Sequence, residues 1–255
     1  MYHKARRAAL KAITKTPLEP AARRLYGALV PSKGNQYDKQ TFALMRKILA
    51  SDSNCIDVGA YRGEILTQII KIAPKGTHFA FEPVPENYAY LSRKFPDVRV
   101  YNTALGAKKG STVFNHVVGR AARSGLVQVE YPDEHQKIEE IKIKIDKLDN
   151  IIPKNTPIHF LKIDVEGGEL GVLEGTKRLI KKYKPLIVFE HELVKASRYK
   201  TKPEYIHDLL VKELGMEIHV MESFLLNGKP LDRVSFIRTV ENNSDFYFMA
   251  IGTGD

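Results

Sequence analysis

Cys55-Ile56-Asp57-Val58-Gly59-Ala60-Tyr61-Arg62-Gly63 is the stretch from which the architecture of this chain is read. Cys55 to Val58 has the apolar character of a short buried strand. Gly59 then lets the backbone turn sharply and pass close to a ligand. The apolar spacing from Ile65 to Ile72 predicts a helix, whose first N–H groups are free to receive a carboxylate or phosphate.

The same alternation continues on the C-terminal side. His78 to Phe81 reads as a second strand, Glu86 to Phe95 as a helix stopped by Pro96, and Val98 to Asn102 as a third strand. Residues 111–145 break the rhythm. Ser111 to Val118, Leu126 to Glu130 and Ile138 to Ile145 read as extended segments, predicting an added antiparallel element over one end of the sheet. Alternation resumes with Ile158 to Ile163 (strand), Leu170 to Lys182 (helix), Leu186 to Phe189 (strand) and Pro203 to Leu214 (helix, stopped by Gly215). Met216 to Val220 and Phe246 to Ile251 are two more strands. The expectation is a Rossmann-like, doubly wound and mostly parallel sheet of about seven strands, with the β element added between strands three and four. On the N-terminal side, Phe42, Met45, Ile48 and Leu49 have helical spacing, and Ser51-Asp52-Ser53 ends that helix.

The chain has 255 residues, one sizeable core's worth. We divide it into a basic segment, residues 1–36, and one domain, residues 37–255. The net charge is +10, and residues 1–33 hold eight Lys and Arg against Glu19 alone. That segment reads as a solvated basic helix or tail, as a patch for a membrane surface or acidic partner, or as a nucleic-acid contact. No nucleic-acid-binding signature accompanies the charge, so no nucleic-acid partner is expected. One cysteine, Cys55, rules out an intramolecular disulfide and fits a reducing, cytoplasmic setting, with a peripheral membrane contact as the alternative. No apolar run reaches the length of a membrane span or secretory signal. Cys55 reads as a core thiol, and His78 and His159 as loop or edge residues. His116 and His135 are candidates to line a cleft, and Lys177 to Lys184 reads as a solvated helix face.

The glycine loop carries a chemical clue. Gly59-x3-Gly63 does not match the G-x-G-x-x-G of a dinucleotide site. Asp57 would repel a pyrophosphate but accept hydrogen bonds from an ammonium group. Glu82 closes the second strand, 19 residues beyond Gly63, where a carboxylate can accept from ribose hydroxyls. An amino-acid end and a ribose together describe S-adenosylmethionine. Asn102-Thr103-Ala104-Leu105-Gly106 stands where it can edge an adenine, or serve as an ordinary turn.

Leu161-Lys162-Ile163-Asp164-Val165-Glu166-Gly167-Gly168-Glu169 puts acids at the end of a central strand, where open α/β sheets bind ligands. The next strand ends in Glu190-His191-Glu192. Asp164, Glu166, Glu190 and His191 are therefore the candidate catalytic residues. A hydroxyl attacking a methyl sulfonium needs its proton removed as it attacks, which His or a carboxylate can do. Oxygen ligands could instead hold a divalent cation that acidifies the hydroxyl. Direct base catalysis is preferred, and no metal ligands are assigned. Glu169 and Glu192 fit helix capping or surface roles.

Together these residues resemble the FkbM family of S-adenosylmethionine-dependent methyltransferases. The resemblance covers roughly residues 54–192. It rests on Asp57-Val58-Gly59-Ala60 with Gly63, Phe81-Glu82-Pro83 with Pro85 and Asn87, Ala104-Leu105-Gly106, and Leu161 to Glu169 followed by Val172-Leu173 and Gly175. It implies a class I methyltransferase fold and O-methylation, often of sugars or polyketide-type natural products. By that resemblance Asp57, Gly59, Gly63 and Glu82 would hold the cofactor, and Asp164 would sit by its methionine end and the substrate; Ala60, Tyr61, Asn102 and Ala104, from their places in the two loops, are further cofactor-binding candidates. Tyr61 and Leu66 depart from the family pattern, which has Asn and often Ser or Thr there. The implied acceptor is a carbohydrate, polyol or natural-product hydroxyl. The competing readings are an adenosyl-binding module without turnover and an RNA methyltransferase. The Asn-Pro-Pro-Tyr-type motif of amino-group methylation is absent where Asp164-Val165-Glu166-Gly167 stands.

Overall fold

The computed structural model describes residues 33–117 and 138–253. Phe42–Asp255 form one compact unit and Met1–Thr41 another, of which only residues 33–41 are described. In chain order the elements are α1 (Lys33–Ile48), β1 (Cys55–Val58), α2 (Glu64–Ile72), β2 (His78–Phe81), α3 (Pro85–Lys94), β3 (Arg99–Tyr101), β4 (Ala104–Leu105), β5 (Gly110–Val117) and β6 (Ile138–Asp146). There follow α4 (Leu148–Ile151), β7 (Phe160–Ile163), α5 (Glu169–Glu174), α6 (Lys177–Tyr183), β8 (Leu186–Glu190), α7 (Leu193–Arg198) and α8 (Pro203–His207). A π-helical segment (Asp208–Glu213), β9 (Met216–Val220), α9 (Met221–Leu225), α10 (Arg233–Glu241) and β10 (Tyr247–Gly252) complete the fold.

Seven strands form one sheet in the order β3-β2-β1-β7-β8-β10-β9. β1 runs parallel to β2 and β7, β2 to β3, and β7 to β8; only β10 is reversed, antiparallel to β8 and β9. The strand order reverses direction between β1 and β7, and ligands of open α/β sheets bind at such a switch point. The predicted sheet is borne out. The added element is a separate sheet, β4-β6-β5, in which β5 and β6 are antiparallel and β4 pairs parallel with β6. The extended segment expected at Leu126 to Glu130, and His135, lie outside the described residues, as does the side chain of His116.

Strand alternation separates two kinds of surface. Ile56, Val58, Phe79, Phe81, Leu161, Ile163, Ile187 and Phe189 share one sheet face, packed with Val172, Leu173, Leu179, Ile180, Ile206 and Phe236 in the main core. The residues between them face the other way. There Asp57 pairs in register with Ala80 on β2 and with Lys162 on β7. A strand buried on both faces is normally apolar throughout, so a carboxylate and an ammonium side by side mid-strand depart from pure packing.

Three expectations are corrected. The helix predicted from Leu170 to Lys182 is two, α5 and α6. A Cβ on Gly175 would lie 2.2 Å from the Gly106 carbonyl oxygen, and the Asp149 carboxylate accepts from the N–H groups of Arg178 and Leu179, starting a new helix. The helix from Pro203 is α-helical only to His207 before widening to π, although Gly215 (φ 59°) does end it. His78 is neither loop nor exposed edge: it opens β2, is buried, and its Nε2 bonds the Ala73 carbonyl at 2.8 Å.

Candidate functional site

The turn after β1 is shaped by backbone. Gly59 (φ 79°) and Gly63 (φ 76°) take left-handed conformations, as does Tyr61 (φ 45°). A Cβ on Gly59 would stand 1.9 Å from the Asp164 carbonyl oxygen, so only glycine lets the ends of β1 and β7 touch. The N–H groups of Gly59 and Ala60 both donate to the Phe81 carbonyl, at 3.0 and 3.2 Å. Glu82 fastens the same loop: its Oε2 accepts from Tyr61 N (3.0 Å) and its Oε1 from Val84 N (2.9 Å) and Asn87 Nδ2 (3.5 Å). Asn102 is a brace rather than a free edge, donating to the carbonyls of Glu82 and Pro83 at 3.0 and 2.9 Å. Ala104 lies in β4, paired with Ile145.

Asp57 has no such partners. Its side chain is buried and neither carboxylate oxygen makes a hydrogen bond. Burial, only partly offset by the Lys162 charge, pushes its carboxyl up to about 6, with Asp164, Glu64 and Glu82 adding in the same direction. Register places Asp57 and Ala80 on one face, and Glu82 follows two residues after Ala80 on that side. Burial also raises the Glu82 carboxyl.

The expected carboxylate cluster forms at the ends of β7 and β8. Asp164, Glu166 and Glu190 each present an oxygen, all within 4.8 Å of one another. Two lysines and a tyrosine complete it, none of them a sequence candidate. Lys162 Nζ bonds Asp164 Oδ2 at 3.0 Å, and the Tyr247 hydroxyl donates to the same oxygen at 2.5 Å. Lys195 Nζ lies 2.8 Å from both Glu190 oxygens and 3.0 Å from Glu166 Oε2. Burial alone would raise the Asp164 carboxyl, but Lys162, Tyr247 and Lys195 bring it below the usual range. Glu190 goes the other way, raised well above it by burial and the Asp164 charge. The same cluster lifts Lys195 and Lys162 despite burial.

Lys162 was legible in part, since it stands two residues before Asp164 on the same strand face. Lys195, five residues after Glu190, and Tyr247, opposite Glu190 across an antiparallel pair, carried no local signal. Glu169 is neither a helix cap nor a surface acid: buried at the start of α5, its Oε1 holds the preceding loop by accepting from Val165 N and Gly167 N at 3.1 and 3.0 Å, and burial lifts its carboxyl to about 7. The loop it holds is left-handed at Glu166 (φ 58°) and Gly167 (φ 106°).

His191 does not join the cluster. Residues 190 and 191 point to opposite faces of an extended chain. His191 is fully buried, its ring stacked 6.3 Å from Phe236, with neither ring nitrogen hydrogen-bonded. Burial lowers its pKa to about 4. Cys55 is the expected core thiol, its pKa pushed up to about 12 by burial.

The strand order and the glycine turn at the switch point define a class I methyltransferase fold, with acids gathered at the tips of β1, β2, β7 and β8. The chain belongs to the FkbM methyltransferase family, because the model of the methyltransferase FkbM domain matches residues 57–223. Methyltransferase 1 of Beauveria bassiana (strain ARSEF 2860) is 25% identical over 145 residues, 49% of this chain and 58% of that protein. The chain thus spans less than two thirds of that relative. Among solved structures, methyltransferase FkbM from Methylobacillus flagellatus KT is 20% identical with a TM-score of 0.42, over 59% of this chain and 37% of that one. A TehB-like SAM-dependent methyltransferase from Corynebacterium glutamicum is 13% identical with a TM-score of 0.41, over 92% and 100%. The fold assignment rests on strand order rather than on these likenesses. No helix among the described residues is long and apolar enough to cross a membrane.

Proposed function

We propose that this chain is an S-adenosylmethionine-dependent O-methyltransferase acting on a hydroxyl of a carbohydrate or polyol-like natural product. The observation that carries the reading is Asp57, a buried carboxylate at the switch point with both oxygens unpartnered. An isolated buried charge is costly, and a cationic ligand group would compensate it. Asp57 would hold the ammonium of the ligand's amino-acid end, with the Gly59–Gly63 turn allowing close approach. A carboxylate offers about four acceptor sites; Tyr61, Val84 and Asn87 take three on Glu82, leaving room for a ribose hydroxyl. Bound there, S-adenosylmethionine supplies an electrophilic methyl group on a positively charged sulfur.

The acceptor would sit over the carboxylate cluster. Asp164, kept ionised by Lys162 and Tyr247, orients donor hydroxyls. Glu190, with its raised proton affinity, is the carboxylate best matched to take the hydroxyl proton, a contribution of about 10²–10⁴-fold. His191 is left out of this scheme because its ring is walled off by Phe236. Contact with an anionic membrane surface through residues 1–33 is part of the same proposal, tested by co-sedimentation with phosphatidylserine vesicles.

Calorimetric titration with S-adenosylmethionine and S-adenosylhomocysteine tests the site, and transfer of a labelled methyl group to sugars and polyols tests the reaction. Wild type should bind both ligands and Asp57→Asn should bind at least about tenfold more weakly, a loss of ~1.4 kcal/mol or more. Glu190→Gln should keep ligand affinity and lose turnover about 10²-fold or more. Equal affinity in Asp57→Asn, or label appearing on amine acceptors alone, overturns the reading.

A further inference from the structure

We infer that Lys195 is the resident cation of the carboxylate cluster, standing where a divalent metal would otherwise bind, and that it positions Glu190 and Glu166 for the acceptor without a metal ion. Asp164, Glu166 and Glu190 have the oxygen spacing at which carboxylates share a cation. The Lys195 ammonium already bridges two of the three, at 2.8 Å from each Glu190 oxygen and 3.0 Å from Glu166, with Glu192 Oε2 at 3.6 Å. An ammonium has three N–H donors, and the three short contacts use all of them.

The lysine is also held from behind. Gly167 passes so close to α7 that a Cβ there would lie 2.5 Å from the Lys195 carbonyl oxygen. The loop bearing Glu166 and the helix bearing Lys195 are therefore in backbone contact, and neither shifts without the other. Charge points the same way. Lys162 pairs with Asp164, and Lys195 pairs with Glu166 and Glu190, so each acid of the cluster already faces an ammonium. A metal ion reaching the same oxygens would stand against a fixed ammonium that cannot be neutralised cheaply among acids.

Lys195 thus acts through Glu190 and Glu166 as a positioning residue. The inference rests on the cluster being the acceptor's seat, but binding of Mn²⁺ to the ligand-free protein tests it without turnover. Its failure is therefore distinguishable from a wrong acceptor. Wild type, followed by electron paramagnetic resonance of free Mn²⁺, should show no saturable site dependent on Glu166. Lys195→Met should gain one Mn²⁺ site at least about tenfold tighter than any in wild type, and Lys195→Met with Glu166→Gln should lose it. A wild-type site abolished by Glu166→Gln overturns the inference, and that arm decides even where Lys195→Met fails to fold. A folded Lys195→Met that binds Mn²⁺ no better than wild type overturns it too.

Discussion

Two buried side chains on opposite sheet faces carry opposite pH signatures. His191 stays neutral in the folded protein down to about pH 4, while the unfolded chain takes up its proton near 6.5. Between those values the unfolded state binds more protons, so the His191 contribution to stability is present above 6.5 and is lost as pH falls toward 4. A shift of this size corresponds to up to about 3 kcal/mol. His191→Phe, which keeps an aromatic ring beside Phe236, should remove that part of the acid loss; urea unfolding at pH 7 and pH 4.5 measures it. Asp57 and Glu169 have raised values and pull the other way in both proteins, so the comparison isolates the histidine. Asp57 itself is a liability without ligand. Its penalty grows as pH rises from 3.8 through about 6 and is complete above that. Asp57→Asn should therefore stabilise the ligand-free protein at pH 8, by up to about 3 kcal/mol, while weakening ligand binding. A variant less stable than wild type there would mean that Asp57 serves folding and not a ligand.

The break between α5 and α6 shows how one contact divides a helix that periodicity reads as continuous. Gly175 lies against the Gly106 carbonyl, and Asp149 N donates to the Gly175 carbonyl at 3.0 Å. Gly175→Ala puts a methyl group into backbone and should cost ~1–3 kcal/mol in urea unfolding. Gly110→Ala in β5 meets nothing nearer than Ile145 Cγ2 at 3.9 Å, and should change stability by less than about 0.5 kcal/mol. Equal effects would remove close packing as the reason for the break. The same reasoning applies to Gly59, where the contact is with Asp164 just beyond the end of β7.

Across the sheet, Glu82, Asp57, Asp164, Glu190 and Tyr247 come from five strands or strand ends and share one face by register. A ligand spanning β1 and β2 should therefore stabilise the assembled sheet rather than one element. S-adenosylhomocysteine at about 100 times its Kd should add ~2.7 kcal/mol, raising Tm by roughly 5–10 °C. Asp57→Asn should lose about half of that rise or more under identical ligand concentration. A full rise in the variant would place the ligand elsewhere.

Much of this was written locally. Short apolar runs separated by helical spacing determined the α/β class, and Asp57, Gly59, Glu82 and the Asp164 to Glu169 block marked the strand tips at which the acids gather. Periodicity is a property of neighbours in the chain, so it survives without a structure. What only the tertiary fold decided depends on register between distant segments. The alternation of residues 189–191 sent Glu190 into the cluster and His191 into the core, and a crossing antiparallel strand brought Tyr247 to Asp164. Lys162 and Lys195 became the cations of the site because burial among acids makes pairing obligatory, and which charges are buried together is settled by packing.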